Sequence, residues 1–313
     1  MDNIETLFIT GGAGFIGSNF INYFHKKYPN IKIINFDALY YCGDENNIDV
    51  QIRISDNYKF IKGNLQSYEL LEYVFKGHKI THIIHFAAQS HVQNSFTDAI
   101  QYTRDNIIGT HNLLEIVRQH LKDIVKFIHV STDEVYGESK LDETNKTENS
   151  LLCPTNPYAA TKAAAEMLVL SYYSSFKIPI IITRGNNVYG PNQIYKSNMA
   201  AVVGIFEEYI KKNEPLPVVK PGSQSRKFTH VQDTVEACIY AWKKNRISHY
   251  SISHNTAYSI IQLAKLFSNK IKMIPERRGE RFNSSIVKSP PKRDKYGTGG
   301  AILNLSFLFT EIL

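Results

Sequence analysis

Cysteine is scarce in this 313-residue chain, with three far apart at Cys42, Cys153 and Cys238. The odd count argues against a disulfide framework and no spacing suits a metal site, so no metal is expected. Such usage fits a reducing compartment, and a cytoplasmic location is the expectation. Long apolar runs are also missing. No stretch approaches the roughly 20 residues of a membrane-spanning helix, so no membrane partner is expected. The opening "IETLFIT" is too short for the core of a signal peptide and runs directly into glycines, with no basic segment before it. Charge of one sign is only modestly in excess, with 36 Lys and Arg against 29 Asp and Glu, a net +7. The excess is strongest in "NKIKMIPERRGERFNSSIVKSPPKRDK" (269–295). That segment suits nucleic acid, a membrane surface, an anionic small molecule or a plain solvated face. No aromatic platform interleaves the charges, which sets nucleic acid aside. At 43% hydrophobic and 21% charged, the chain reads as globular and fills one large domain or two unequal ones.

The first half alternates strands and helices. "TLFITGGAGFIGSNFINYF" (6–24) is a β-branched run, a glycine cluster, then apolar residues at helical spacing. Gly11, Gly14 and Gly17 permit a tight turn, close approach to a pyrophosphate and tight helix packing, with a helix N-terminus facing the anion. Such a triplet alone also occurs in ordinary turns. Here a second strand, "IKIINFDA" (31–38), follows and ends at Asp37, twenty positions after Gly17. An acid there accepts hydrogen bonds from the adenosine ribose and repels a 2′-phosphate, so the succession predicts an NAD-type dinucleotide site. "YKFIKGN" (58–64), "THIIHFAA" (81–88), "VKFIHVST" (125–132) and "PIIITRGNN" (179–187) read as further buried strands. The expected fold class is α/β, a doubly wound parallel sheet whose ligands sit beyond the carboxyl ends of the strands. "VSTDEVYG" (130–137) therefore sets Asp133 and Glu134 at the mouth of a site, where two adjacent carboxylates are a poor choice for stability alone.

"CPTNPYAATKAAAEMLVLSYY" (153–173) spaces Tyr158 and Lys162 four apart, on one helix face, with Asn156-Pro157 marking the helix start. Such pairs are also common on exposed helices. Beside a dinucleotide site, a lysine that lowers a phenol's pKa makes Tyr158 a base near neutrality.

"TGGAGFIG", "HFAAQSHV" (85–92), "STDEVYG", "YAATK" and "RGNNVYGPNQ" (184–193) together resemble the extended short-chain dehydrogenase/reductase family, and more narrowly its nucleotide-sugar 4,6-dehydratases. The resemblance implies a tightly held, internally recycled NAD. It implies that Gly11, Gly14, Phe15, Ile16, Gly17, Asp37, Asn64, Leu65, Ala87 and Ala88, with Tyr158 and Lys162, hold that cofactor. Asn64 departs from the family's usual Asp, although an amide can still bond the adenine edge. Thr132, Tyr158 and Lys162 become the oxidising triad, and Asp133 with Glu134 the dehydrating pair. Ser90, His91, Asn187 and Arg226 become substrate contacts, Arg226 at a nucleotide phosphate. Arg277 or Arg281 suits bidentate binding of the diphosphate, which accounts for the basic segment better than nucleic acid does.

The chemistry agrees. Oxidation of a sugar at C4 acidifies the C5 proton; one group then removes that proton while another protonates the departing 6-hydroxyl. Adjacent carboxylates that resist joint ionisation supply the two protonation states, Glu134 as base and Asp133 as acid. A 4-epimerase needs no such pair. It remains the rival reading, together with a non-catalytic NAD-sensing protein. The expected division is an NAD-binding domain, 1–185, and a smaller, mainly substrate-binding domain, 186–313, with segments returning to the first. Gly185 between Arg184 and Asn186 adds room, and together with the unusual stretch 194–219 it slightly favours UDP-N-acetylglucosamine over UDP- or dTDP-glucose, with retention or inversion at C5 left open. Apolar residues on several faces of helices 101–120 and 158–176, together with the family resemblance, predict a homodimer through a four-helix interface. The stretch from 290 to 313 reads as a loose tail.

Overall fold

Seven parallel strands form the central sheet. The computed structural model describes residues 5–138, 146–195, 199–243, 248–254 and 256–276. In chain order the strands are β1 (Thr6–Thr10), β2 (Lys32–Asp37), β3 (Tyr58–Lys62), β4 (His82–His85), β5 (Lys126–Thr132), β6 (Ile180–Gly185) and a last strand, Ser248–Ile252. In space they run β3-β2-β1-β4-β5-β6 and then Ser248–Ile252. β1 is buried along its whole length, as the unbroken apolar runs of a sheet covered on both faces require. The fold is a doubly wound α/β fold of the Rossmann type.

Six of the strands fall inside the runs legible in the sequence. The seventh reads "SHYSI", and its polar alternation hides it. As an edge strand it pairs only with β6 and has fewer apolar positions to fill. One face of the sheet is covered by α1 (Phe15–Lys27) and the helix Val231–Lys243, with Phe20, Phe24 and Trp242 packed over Ile9 and Ile33. The other face carries the helices Tyr68–Gly77, Gly109–Gln119 and Pro157–Phe176, with Leu71, Leu114 and Val169 over Phe8 and Phe127. A smaller lobe has its own core of Val203, Phe206, Leu216, Val218 and Leu263. It contains the helices Val202–Lys211 and Ile260–Phe267 and the parallel strands Leu216–Val219 and Ile271–Ile274.

Two local features position the site. Chain order reverses between β1 and β4, and ligands of such sheets bind in the crevice this opens. The helix Pro157–Phe176 starts where Asn156 caps the backbone N–H of Ala159 and Pro157 takes the first position, which has no use for an N–H. Among the described residues, no helix is long and apolar enough to cross a membrane.

Candidate active site

A cavity of about 540 Å³ opens at the carboxyl ends of β1, β2, β4 and β5 and is closed on its far side by the smaller lobe. Its floor is the glycine turn after β1. Gly11 has φ +71, and a Cβ there would lie 2.6 Å from the Ala87 nitrogen. A Cβ on Gly17 would lie 2.3 Å from the Gly11 carbonyl oxygen. Only glycine permits this approach, and it brings the N-terminus of α1 to the cavity. Asp37 closes one end: Oδ2 accepts the Ala13 N–H at 2.9 Å and Oδ1 the Leu39 N–H at 2.8 Å. Burial raises its pKa, and those backbone donors oppose the shift. Asn64 Oδ1 is taken by the Gln66 N–H at 2.8 Å, while Nδ2 donates to the Tyr40 hydroxyl at 2.5 Å.

All twelve residues expected at the cofactor lie on this wall: Gly11, Gly14, Phe15, Ile16, Gly17, Asp37, Asn64, Leu65, Ala87, Ala88, Tyr158 and Lys162. A glycine cradle at a helix N-terminus with a carboxylate opposite fits a dinucleotide.

At the other end, Tyr158 and Glu134 face the same space. Burial pushes the Tyr158 phenol well above its ordinary value, the Glu134 charge adds to this, and a hydrogen bond with Thr132 opposes it. Lys162, 3% exposed, donates to the Val130 carbonyl at 2.8 Å. Burial pulls its pKa down to about 8. Burial and then the Glu134 carboxylate are the largest influences on the Tyr158 phenol, and both raise it. Asp133 and Glu134 begin the short 3-10 turn Asp133–Tyr136 and diverge from it. Glu134 joins the cavity wall. Asp133, 6% exposed, does not, and its charge acts on Lys227, opposing the lowering that burial imposes on that lysine. Thr132 also stands behind the wall, its Oγ1 accepting the Glu134 N–H at 3.3 Å.

Of the expected substrate contacts, Ser90, His91, Asn187 and Arg226 line the cavity. Arg277, Arg281 and the tail from 290 onward lie outside the described residues. Three wall features had no signal in the sequence. Tyr40, Tyr41 and Cys42 come from a loop without a motif, with the Cys42 thiol pushed up to about 11 by burial and Asp37. Met199, Val202, Ile205 and Ile260 are core-like residues of the smaller lobe that face the cavity. Asp105, in the π-helical turn Arg104–Ile108, gathers amide N–H donors from Gln66, Gln89 and Gln101 at 2.7 to 3.0 Å.

A family model described as GDP-mannose 4,6 dehydratase matches residues 8–295. The chain belongs to this family. Among similar members, a Dictyostelium discoideum protein named dTDP-D-glucose 4,6-dehydratase is 41% identical over 276 residues, covering 85% of this chain. An Arabidopsis thaliana trifunctional UDP-glucose 4,6-dehydratase/UDP-4-keto-6-deoxy-D-glucose 3,5-epimerase/UDP-4-keto-L-rhamnose-reductase is 43% identical over 263 residues, 83% of this chain. The matches span 62% and 38% of those relatives' own lengths. A crystal structure of dTDP-glucose 4,6-dehydratase from Bacillus anthracis in complex with NAD is similar in fold, with TM-score 0.80 and 34% identity, covering 90% of this chain and 87% of that one.

Proposed function

We propose that this chain is an NAD-dependent nucleotide-sugar 4,6-dehydratase acting on a glucose nucleotide, dTDP-glucose or UDP-glucose. The observation that carries the reading is Glu134 in one cavity with Tyr158 and Lys162, a second base beside the oxidising pair. The cofactor residues would hold the dinucleotide, and Asp37 would select NAD by repelling a 2′-phosphate. When bound, the nicotinamide supplies a hydride acceptor at C4 and a hydride donor at C6. Tyr158 takes the 4-hydroxyl proton. Glu134 then takes the C5 proton, and the C6–O bond breaks as Asp133 supplies the proton that makes the leaving group water. Asp133 does not line the cavity, so its proton has to be relayed to the leaving group rather than passed directly. Glu134 returns its proton to C5, and with C6 reduced the product would be a 4-keto-6-deoxy sugar.

The preference for UDP-N-acetylglucosamine rested on the stretch 194–219 and on Gly185. That residue is not part of the cavity wall, and a Cβ there would meet nothing within 4 Å, so the glycine makes no room for an acetamido group. The names of the relatives support a glucose nucleotide instead.

The domain division at residue 185 belongs to the same proposal, with Val231–Lys243 and Ser248–Ile252 returning from the second half to the NAD-binding half. So do a homodimer and a cytoplasmic location, the latter supported by three unpaired cysteines. The test is incubation with dTDP-glucose and with UDP-glucose, read by mass spectrometry. Loss of one water is expected. A new isomer of unchanged mass would mean an epimerase, and an unaltered substrate a binding protein.

A further inference from the structure

One amide links two parts of this site. Asn156 is the N-cap of the helix Pro157–Phe176, where its Oδ1 accepts the Ala159 N–H at 2.8 Å. Its Nδ2 donates to Glu134 Oε2 at 2.9 Å. A backbone N–H can only donate, so the amide oxygen must face the helix and the NH2 group must face the carboxylate. The side chain is 8% exposed, which limits the access of solvent to either contact. Capping does not by itself require asparagine, because Asp and Ser cap about as well. Asp, however, has no donor to offer a carboxylate, and a serine hydroxyl is too short to bridge both partners.

We infer that Asn156 is a positioning residue for the elimination step: its amide ties Glu134 Oε2 to the helix end and leaves Oε1 to take the C5 proton beside Tyr158. The inference rests on the dehydratase reading. A hydrogen bond to a charged acceptor is among the stronger kinds, and this one stops the Glu134 carboxylate from swinging out of the wall. Tyr158 lies two residues beyond the cap on the same helix. The base for oxidation and the base for elimination are therefore set from a single residue, and their separation does not depend on a flexible loop. Misplacing a reacting group by about 1 Å costs on the order of 10²-fold in rate, so a fixed carboxylate is worth a dedicated side chain.

The test uses the full chain with its dinucleotide and a glucose nucleotide, as wild type, Asn156→Asp and Asn156→Ser. Both variants keep a cap, and their melting temperatures should stay close to wild type. Asn156→Asp removes the donor and sets a second carboxylate against Glu134. Water elimination should fall about 100-fold, whereas reduction of the nicotinamide on mixing with substrate survives and the reduced form lingers in the absorbance trace. Asn156→Ser, with no added charge, should lose about 10-fold. A residue that only capped would make Asp at least as good as Ser and leave no lingering reduced cofactor. Wild-type turnover in the Asp variant overturns the inference, as does equal loss of reduction and elimination in a folded Ser variant. If the wild type eliminates water from neither nucleotide, the dehydratase reading fails first and the inference falls with it.

Discussion

Glu134 is close enough to Tyr158 for its charge to oppose loss of the phenolic proton. For oxidation alone that is a handicap. The proposed function explains it by a second proton that has to leave the substrate nearby. Glu134→Gln keeps the shape but cannot act as a base, so elimination should fall by roughly 10²–10⁴ while substrate still reduces the bound nicotinamide, followed by stopped-flow absorbance. With the opposing charge gone, Tyr158 titrates lower, and the pH limb of the reduction phase should move to lower pH. An unmoved limb, or no reduction at all, would assign the carboxylate to the wrong step. Lys162 carries a cost of its own. Its folded value of about 8 lies below the ordinary 10.5. Wild-type stability therefore rises as pH climbs through that window and is lowest beneath it, where the folded protein must carry the buried charge. Lys162→Met should abolish turnover yet stabilise the protein at neutral pH by on the order of 1–3 kcal/mol, net of the lost hydrogen bond to Val130. The difference should close as urea melts are repeated up to pH ~10.5. A less stable Met variant at pH 7 would contradict the account.

The turn Asp133–Tyr136 is held from several elements at once. Lys146 Nζ donates to the Tyr136 carbonyl at 2.7 Å. Arg184, at the end of β6, forms a buried pair with Glu166 of the helix Pro157–Phe176, Nη2 to Oε2 at 2.5 Å with Nε to both oxygens at 3.1 Å. Its Nη1 reaches the Tyr136 hydroxyl at 2.5 Å and the Glu148 carbonyl at 2.9 Å. Arg184→Met leaves Glu166 as an unpaired buried charge and should cost about 3–5 kcal/mol in chemical denaturation. Adding Glu166→Met should recover most of the stability but little of the turnover, because Tyr136 still lacks its donor. Recovery of both would make Arg184 a packing residue and nothing more. These contacts also mark where sequence reading stops. Parallel strands buried on both faces leave continuous apolar runs, so β1 to β6 and the glycine turn were legible. Residues set at strand ends by that pattern, from Gly11 to Ala88, could be assigned to one crevice, and Tyr158 and Lys162 joined them through their helical spacing and the family resemblance. The direction a side chain takes out of a tight turn is not periodic, so nothing foretold that Glu134 enters the cavity and Asp133 does not. The partner of Arg184 is eighteen residues away and carries no motif. Gly185 misled because a glycine's neighbours are fixed only once the fold is known.

At the scale of the molecule, Ile100, Ile108, Met167 and Phe176 are 41–66% exposed on the adjoining helical segments 99–119 and 157–176. Apolar side chains on neighbouring helices suit a mating face, and a homodimer is the expected outcome. Light scattering at micromolar concentration checks it: the wild type should be dimeric and Met167→Glu monomeric, and a monomeric wild type would remove the proposal. The two halves of the proposed reaction sit on separate pieces of the scaffold, with Tyr158 and Lys162 on a long helix and the two acids on a four-residue turn after β5. Their heredity is separable for that reason. On the proposed function, a few base changes confined to the turn would silence water loss and leave the redox cycle whole, so a lineage could slide from removing an oxygen to merely reversing a sugar's handedness. The return journey would be steeper, because a working acid pair would have to arrive together with the amide on Glu134 and the guanidinium and ammonium groups that hold the turn at Tyr136.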